Sequence, residues 1–239
     1  MLEPLELAEL TSQCFSSGSL SGKTVFITAG PTREPLDPVR YLSNHSSGKM
    51  GYALAEAAIE AGARVKLITG PVSLPCPDRV ECVQIETAQQ MLDAALNGLE
   101  NCDIFIAAAA VADYRPTAVA EHKIKKGAEE IMELHLVKNP DIVATVAHHE
   151  NRPFTVGFAA ETRDLVDYAR SKLERKNLDL VIANDVSQQG IGFGSDENAV
   201  TLVSQDSTTT LPQTSKRQLA IRLISEIARR ANTNKVLIS

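Results

Sequence analysis

The sequence contains no apolar run of the roughly 18 to 20 residues that a membrane-spanning helix needs. Near its start stand Glu3, Glu6 and Glu9, where a secretory signal would have basic and then apolar residues. Both absences argue against a membrane or secreted protein. We therefore expect a soluble, cytoplasmic protein without a membrane partner.

Patterns for metal binding and covalent catalysis are missing as well. No C-x-x-C spacing occurs, so we expect four ordinary thiols in a reducing cytosol, and neither a zinc site nor a redox pair, at Cys14, Cys76, Cys82 and Cys102. The five histidines show no metal-ligand spacing, and no Ser-His-Asp or Cys-His arrangement is visible. A formal net charge of −6 gives no broad positive field, so we expect no nucleic-acid partner and only local binding of small anions.

What the sequence does contain is enough apolar material for one substantial core, with 239 residues of which 44% are hydrophobic. Residues 1–22 end in the tract SSGSLSG, whose composition is typical of a flexible connector. We therefore place one folded domain at residues 23–239.

Within that domain, apolar strands alternate with amphipathic helices. Strands are predicted at 24–29, 64–69, 80–85, 104–109, 132–137, 154–159 and 178–183. Helices are predicted at 48–61, from a capping box at Thr87 to about 99, from an Asn139–Pro140 cap to about 149, and at 164–176. A hairpin at 199–204 and 208–211 precedes a last helix at 216–230. This order predicts an α/β fold, a Rossmann-like doubly wound and mainly parallel sheet with an antiparallel hairpin addition near the C-terminus.

The connection after the first strand is long and polar for a strand-to-helix turn. Residues 30–47 carry Arg33, Arg40, Asn44 and His45, and long polar loops in compact domains are usually functional. The loops after the strands that end near 109, 159 and 183 should lie at the same edge, where open α/β sheets bind ligands. We expect these loops to form one site.

The glycines around the first helix favour anion binding, although helix packing alone also explains them. SSGKMG is not a Walker A motif, because Met50 follows Lys49. Gly30, Gly48 and Gly51 would let the helix N-terminus approach a phosphate. An NAD site is less favoured, since the second strand ends without an acidic residue.

Two groups of lysines are further candidates. HKIKKG places Lys123, Lys125 and Lys126 in a loop that is either a solvated charged segment or a mobile lid over a triphosphate. Lys172 and Lys176 lie one turn apart on a predicted helix, and could point to phosphate or to water.

Two other features follow buried strands. Asp113 could cap a turn, or hold a ribose hydroxyl or a metal-bound water. The backbone amides after Asn139 and Pro140 could be capped locally or could cradle a phosphate.

Taken in order, the motifs resemble the bacterial phosphopantothenoylcysteine synthetase domain over nearly everything from Lys23 to the last helix. They are ITAGPTREPLDPVRYLSNHSSGKMG, AAVADYRP, KIKK, VKNPDIVA, VGFAAET, RKNLDLVIANDV and GFGSDEN. In that family the domain usually follows a flavin-dependent decarboxylase in one bifunctional chain, and residues 1–22 resemble the connector. The resemblance also implies a homodimer in which loops complete the neighbouring subunit's site.

The resemblance implies a ligase reaction. The family uses CTP and a divalent metal, Mg²⁺, to activate the carboxylate of 4′-phosphopantothenate as an acyl-cytidylate with release of pyrophosphate. The amine of L-cysteine then displaces CMP. Because the attacking carboxylate and the triphosphate are both anions, such a site needs neutralising cations and in-line positioning, and it needs no protein nucleophile.

Motif matching assigns residues to these steps. Asn44 corresponds to the family's catalytic asparagine, Arg40 is its expected companion, and Lys123 corresponds to the lid lysine that acts on the phosphates. The family's CTP-binding positions fall on Ala107, Ala108, Ala109, Asp113, Lys123, Pro140, Asp141, Ile142, Val143, Phe158, Lys172 and Lys176. No metal ligand is assigned.

Two alternatives stay open from the residues alone. The glycine spacing also suits an NAD(P)-binding reductase of the Rossmann type. A nucleotide-sensing module that binds CTP without turnover is the other alternative.

Overall fold

The computed structural model describes residues 18–126, 131–161, 164–185 and 195–236. Its strands are β1 (Thr24–Ala29), β2 (Arg33–Pro35), β3 (Tyr41–Ser43), β4 (Arg64–Thr69), β5 (Val80–Gln84), β6 (Ile104–Ala107), β7 (Tyr114–Pro116), β8 (Leu136–Lys138), β9 (Phe154–Glu161), β10 (Leu180–Asp185), β11 (Glu197–Val203) and β12 (Thr208–Ser215). Its helices are α1 (Lys49–Glu60), α2 (Ala88–Leu96), α3 (Ile142–Ala147), α4 (Leu165–Arg175) and α5 (Lys216–Val236), with a 3₁₀ turn at Leu99–Asn101. Most of the predicted connector and the predicted loop at 186–194 lie outside the described residues.

A central eight-stranded sheet has the order β12-β11-β10-β9-β6-β1-β4-β5. The strands from β10 to β5 are parallel, whereas β11 and β12 pair antiparallel at the C-terminal edge. The chain runs from β1 outward to β5 and then crosses back to β6 on the other side of β1. The predicted fold class is thereby confirmed, and the order of strands reverses between β1 and β6.

Helices cover both faces of this sheet. On one face, Leu54 of α1 and Leu223 of α5 share a buried cluster with Ile27. On the other face, Met91 of α2 packs in a second cluster with Phe26. Neighbouring residues of β1 therefore point into different cores, as side chains on a strand alternate between its faces. No helix in the described part of the chain is both long and apolar enough to cross a membrane.

The start of α1 depends on two glycines. Gly48 caps the helix with a left-handed φ of 76°, which costs a glycine little. A Cβ added to Gly51 would lie 2.5 Å from the Cβ of Ala29, so only a glycine lets α1 approach β1 this closely. This contact fixes the helix N-terminus at the carboxyl end of β1.

The predicted capping box of α2 is confirmed, but its predicted end is wrong. Thr87 accepts a hydrogen bond from the Gln90 amide, and the Gln90 side chain accepts one from the Thr87 amide. The helix ends before Asn97 because Gly98 turns the chain with a φ of 83°. Lys66 of β4 then donates to the Asn97 carbonyl at 2.7 Å, a favourable place for a cation at a helix C-terminus.

Two small hairpins replace parts of the predicted loops. Residues 30–47 do not form a simple loop, since β2 and β3 pair antiparallel within them, with the Arg33 guanidinium 4.6 Å from the Tyr41 ring centre. The strand predicted at 132–137 is shorter and later, at β8, and it pairs with β7. Three-residue strands carry too few residues for a periodic signal, so pairing across the chain decides where they form.

The cysteine prediction is wrong for two of the four residues. Cys76 and Cys82 form a disulfide with their Cα atoms 6.2 Å apart. The turn that precedes the edge strand β5 brings Cys76 beside this strand, which contains Cys82. Cys102 is free and buried, and burial raises its pKa to about 12. Disulfides are uncommon in reducing compartments, so the cysteines do not support the cytosolic location inferred from them.

Candidate functional site

The loops after β1 and β6 are joined at the carboxyl edge of the sheet. The Ala110 amide donates to the Gly30 carbonyl at 2.9 Å, and the Thr32 amide donates back to the Ala110 carbonyl at 3.2 Å. The Ala112 amide donates to the Thr32 hydroxyl at 3.0 Å. This junction lies at the reversal of strand order, where open α/β sheets bind ligands.

A cavity of about 490 Å³, here called the main pocket, opens at this edge. It lies over the ends of β6 and β9 and is closed on its sides by the start of α3 and by α4. Ten of the residues predicted to bind CTP line it: Ala107, Ala109, Asp113, Pro140, Asp141, Ile142, Val143, Phe158, Lys172 and Lys176. The structure thus brings together residues that are up to 69 positions apart in the chain, from 107 to 176.

Three lysines line the main pocket and give it positive charge, namely Lys138, Lys172 and Lys176. Lys172 Nζ donates to the Phe158 carbonyl at 2.6 Å, and Lys176 Nζ pairs with Asp141 Oδ2 at 2.7 Å. Both lysines are at the C-terminal end of α4, where a helix dipole favours cations. A phosphate entering the pocket would find two ammonium groups already held at its wall.

The cap of α3 differs from the prediction. Asp141, and not Asn139, is the N-cap, with its Oδ1 accepting from the Ala144 amide at 3.1 Å. The Asn139 side chain instead donates to the Ala112 carbonyl at 2.8 Å and accepts from Arg115 at 3.0 Å. Asn139 therefore ties the loop after β6 to the entry of α3 and shapes the pocket wall.

Carboxylates are sparse in the main pocket. Asp113 is exposed at its mouth, and Asp141 is engaged by Lys176. No cluster of three or more metal-ligating side chains occurs among the described residues. Two carboxylates are a poor cage for a divalent cation, and Mg²⁺ usually takes most of its ligands from water and substrate phosphates.

A second cavity of about 180 Å³, the side pocket, adjoins the main pocket. Ala109 and Phe158 line both cavities, so the two sites share a wall. Ala108, also predicted to bind CTP, lines the side pocket, as does the start of α1 from Gly48 to Gly51. A helix N-terminus therefore faces this cavity, and the first amides of a helix have no partner within the helix itself.

The side pocket also gathers charged and polar groups from distant segments. Lys49 Nζ lies 2.7 Å from Asp196 Oδ1 and lowers the pKa of that carboxyl. Burial, and then the charge of Lys49, lower the pKa of Lys216. Asn184 presents a buried Oδ1 that has no hydrogen-bond partner among the described residues. These groups suit an anionic ligand that also carries hydroxyl or amide donors.

The three residues predicted to be catalytic lie outside the walls of both pockets. Asn44 is exposed, and its Nδ2 donates to the carbonyl of Ala110, a residue that lines the side pocket, at 3.0 Å. Arg40 binds Asp37 and the Ile124 carbonyl. Lys123 is exposed and lines neither pocket.

Four lysine and asparagine residues of the side pocket are not among the predicted site residues. Lys49 lies in SSGKMG, where the glycines favour anion binding but the Walker A pattern is absent. Asn184, Asn198 and Lys216 carry no local motif. The antiparallel addition of β11 to β10 and the start of α5 bring them together, which only the fold reveals.

The structure is that of an α/β protein with two adjoining lysine-lined pockets where the order of strands reverses. A family model described as DNA/pantothenate metabolism flavoprotein C-terminal domain matches residues 20–231. The chain belongs to this family, and the resemblance inferred from the motifs is confirmed.

Individual relatives agree with this assignment. The chain is 55% identical over 229 residues to the Coenzyme A biosynthesis bifunctional protein CoaBC of Vibrio vulnificus, covering 95% of the chain and 57% of that protein. It is 53% identical over 234 residues to the protein of the same name from Escherichia coli K12, covering 96% and 58%. The crystal structure of the C-terminal domain of a CoaBC protein matches with a TM-score of 0.78 and 39% identity, covering 91% of the chain and all of that domain. The chain therefore spans less than three fifths of the length of these full-length relatives.

Proposed function

We propose that this chain is a ligase that joins 4′-phosphopantothenate to L-cysteine through an acyl-cytidylate formed from CTP, in coenzyme A biosynthesis. The observation that carries the proposal is the pair of adjoining pockets, which are lined by three and two lysines and share the wall of Ala109 and Phe158. Membership of the family supports it, as do relatives named for coenzyme A biosynthesis.

In this proposal the main pocket holds the nucleotide. Phe158 offers an apolar face for the base, and Lys172 and Lys176 offer cations for the phosphates. Asp113 and Asp141 are the carboxylates that would help to hold Mg²⁺ beside the triphosphate. The ion would supply further neutralisation of phosphate charge.

The side pocket would then hold the acid substrate. The amides at the start of α1, together with Lys49 and Lys216, suit a phosphate monoester. Asn184 Oδ1, which has no partner in the part of the chain that the structure describes, suits a hydroxyl or an amide N–H of the pantothenoyl chain. Seated between the two pockets, the substrate carboxylate would face the α-phosphorus of CTP.

The first step forms a bond from a carboxylate oxygen to the α-phosphorus and breaks the bond from that phosphorus to the leaving pyrophosphate. Cations of this chain lower the repulsion between the two anions, and Lys123 is the cation proposed to act on the phosphates. In the second step the cysteine amine attacks the acyl carbon, the carbon–oxygen bond to CMP breaks, and the amine releases a proton. Asn44, at the rim of the side pocket, is proposed to support the acyl oxygen.

Four further parts of the proposal concern the whole protein. We propose a homodimer, because the β2–β3 and β7–β8 hairpins expose Tyr41 and Tyr114, each 47% accessible, together with apolar side chains of β8. We also propose a flavin-dependent decarboxylase domain in the same polypeptide, because the relatives are named as bifunctional and the chain spans only part of their length. A boundary at residue 23 and a cytoplasmic location, where CTP and phosphorylated acids are found, complete the proposal.

A reaction series with purified protein tests the function. With 4′-phosphopantothenate, cysteine, Mg²⁺ and CTP we expect equal amounts of pyrophosphate and CMP, and turnover with ATP lower by about tenfold or more. Without cysteine, the acyl-cytidylate should accumulate after one equivalent of pyrophosphate per site.

Other outcomes would contradict this function. No pyrophosphate with any nucleotide would refute it, and CTP binding without turnover would favour the sensing module. Oxidation of NADPH with a carbonyl substrate would favour the reductase, although β4 ends in Ile68 and Thr69, followed by Gly70, without the acidic residue that binds a ribose.

A further inference from the structure

Asp37 is a buried carboxylate in the loop between β2 and β3, and the reaction as described gives it no role. Its side chain is 0% exposed. One oxygen accepts from the amides of Val39 and Arg40 at 2.8 and 2.9 Å, which is an Asx-type turn. The other oxygen accepts from Arg40 Nε at 3.0 Å and from the amide of Ile124 at 3.0 Å. The last of these bonds joins residues 87 positions apart.

Both backbone polar groups of Ile124, its amide and its carbonyl, are hydrogen-bonded. Its amide donates to Asp37, and its carbonyl accepts from the Arg40 guanidinium at 2.8 Å. A third bond, from the Ala120 amide to the Leu36 carbonyl at 3.0 Å, fastens the same two segments together. The chain around residue 124 is therefore attached to the β2–β3 loop, although the side chain of neighbouring Lys123 is exposed.

Asp37 stays ionised in this setting. The Arg40 guanidinium, followed by the three backbone amides, holds the pKa of the Asp37 carboxyl well below its usual range. A charged acceptor makes stronger hydrogen bonds than a neutral one. The bond between Asp37 and Ile124 therefore fixes the two segments relative to each other. One segment contains Arg40 and the other contains Lys123, the residues that the family resemblance links to the reaction.

We infer that Asp37 is a positioning residue, which acts through the Ile124 amide and through Arg40 to hold Lys123 where it meets the phosphates of the nucleotide. The inference rests on the proposed function for the role of Lys123. Arg40 would then also help to position Lys123, because its guanidinium binds both Asp37 and the Ile124 carbonyl.

The test uses Asp37→Asn, which keeps the shape but turns an NH₂ donor toward groups that are all donors. We expect trypsin, under native conditions, to cleave the Lys123–Ile124 bond about fivefold faster or more in this variant, because the local structure opens more often. Single-turnover pyrophosphate release should slow by about tenfold or more. In a Lys123→Gln background, the same Asp37→Asn change should slow release by less than about twofold, since residues that act as one unit are not additive.

A matched control separates positioning from general loss of stability. Asp179 also accepts a backbone amide, that of Thr155 at 2.7 Å, and also binds an arginine, Arg152, but it lies at the opposite end of the strands. Asp179→Asn should leave the Lys123–Ile124 cleavage rate and the rate of pyrophosphate release close to wild type. If Asp37→Asn does not fold, Asp37→Ser keeps one acceptor for the turn amides but lacks the second oxygen that binds the Ile124 amide, and it carries the same expectations.

Two results would overturn the inference: an unchanged cleavage rate at Lys123–Ile124, or an equal loss of rate with and without the lysine. The proteolysis measurement does not depend on turnover. It therefore tests the Asp37 contact even if the wild-type chain released no pyrophosphate, a result that would contradict the proposed function alone.

Discussion

Asn44→Asp is expected to release pyrophosphate from CTP at nearly the wild-type rate and then to stop, with the acyl-cytidylate accumulating on the enzyme. Asn44 lies at the rim of the side pocket with its amide donor directed at the Ala110 carbonyl. A carboxylate there cannot donate a hydrogen bond, and it repels the negative charge that develops on the acyl oxygen when cysteine attacks. Loss of one such donor typically slows a step by about 100-fold to 1,000-fold, so cysteine addition should fall by that order.

The measurement is a pair of single-turnover experiments. Rapid-quench sampling follows pyrophosphate in the absence of cysteine, and mass spectrometry follows decay of the acyl-cytidylate after cysteine is added. Asn232→Asp, an exposed position on α5, makes the same change of charge away from the site and should leave both steps unchanged. Equal losses in the two half-reactions of Asn44→Asp would contradict the role assigned to this residue.

Lys123→Gln is expected to have the opposite signature. The first step brings a carboxylate up to a triphosphate, and removal of one cation that acts on the phosphates should slow it by about 10-fold to 100-fold. Decay of preformed acyl-cytidylate with cysteine should remain within about twofold of wild type, because the pyrophosphate has already left. Burst measurements of pyrophosphate give the first rate and cysteine-chase experiments give the second.

The same segment supplies the control for this experiment. Lys126→Gln removes an equal charge, and the alternation of side chains along KIKK puts residue 126 on the other side from residue 123. If both variants slowed pyrophosphate release equally, only the net charge of the segment would matter. A specific contact by Lys123 would then be refuted.

Local chemistry made much of the fold predictable. The strand and helix bounds of β1 and α1, the Thr87–Gln90 capping box and the β11–β12 hairpin all depend on residues close together in the chain. Some errors were local, such as the end of α2, the cap of α3 and the Cys76–Cys82 disulfide. The errors in the short strands arose where distant pairing decides the structure. The β7 and β8 strands meet across 19 intervening residues, from 117 to 135, and a three-residue strand shows no alternation of its own.

The candidate site also contains residues that local motifs predict and contacts that only the fold reveals. Ordered motifs assign twelve residues to CTP binding, and the structure gathers ten of them in the main pocket. The Asx turn of Asp37 is readable from the sequence LDPVR, but its bond to Ile124 is not. Likewise, nothing near Lys216 indicates that it will lie in a pocket with Lys49, because the contact requires the whole sheet to form first.

Transfer of an oxygen isotope from the acid to the nucleotide shows whether the carboxylate attacks the α-phosphorus of CTP. If 4′-phosphopantothenate labelled with ¹⁸O in its carboxyl group reacts with CTP and cysteine on this protein, the acyl-cytidylate route requires one labelled oxygen to leave with CMP. Mass spectrometry of the products should therefore find one ¹⁸O in CMP and one in the amide product. Unlabelled CMP, or label in pyrophosphate or in released phosphate, would show that the carboxylate does not attack the α-phosphorus and would contradict the account.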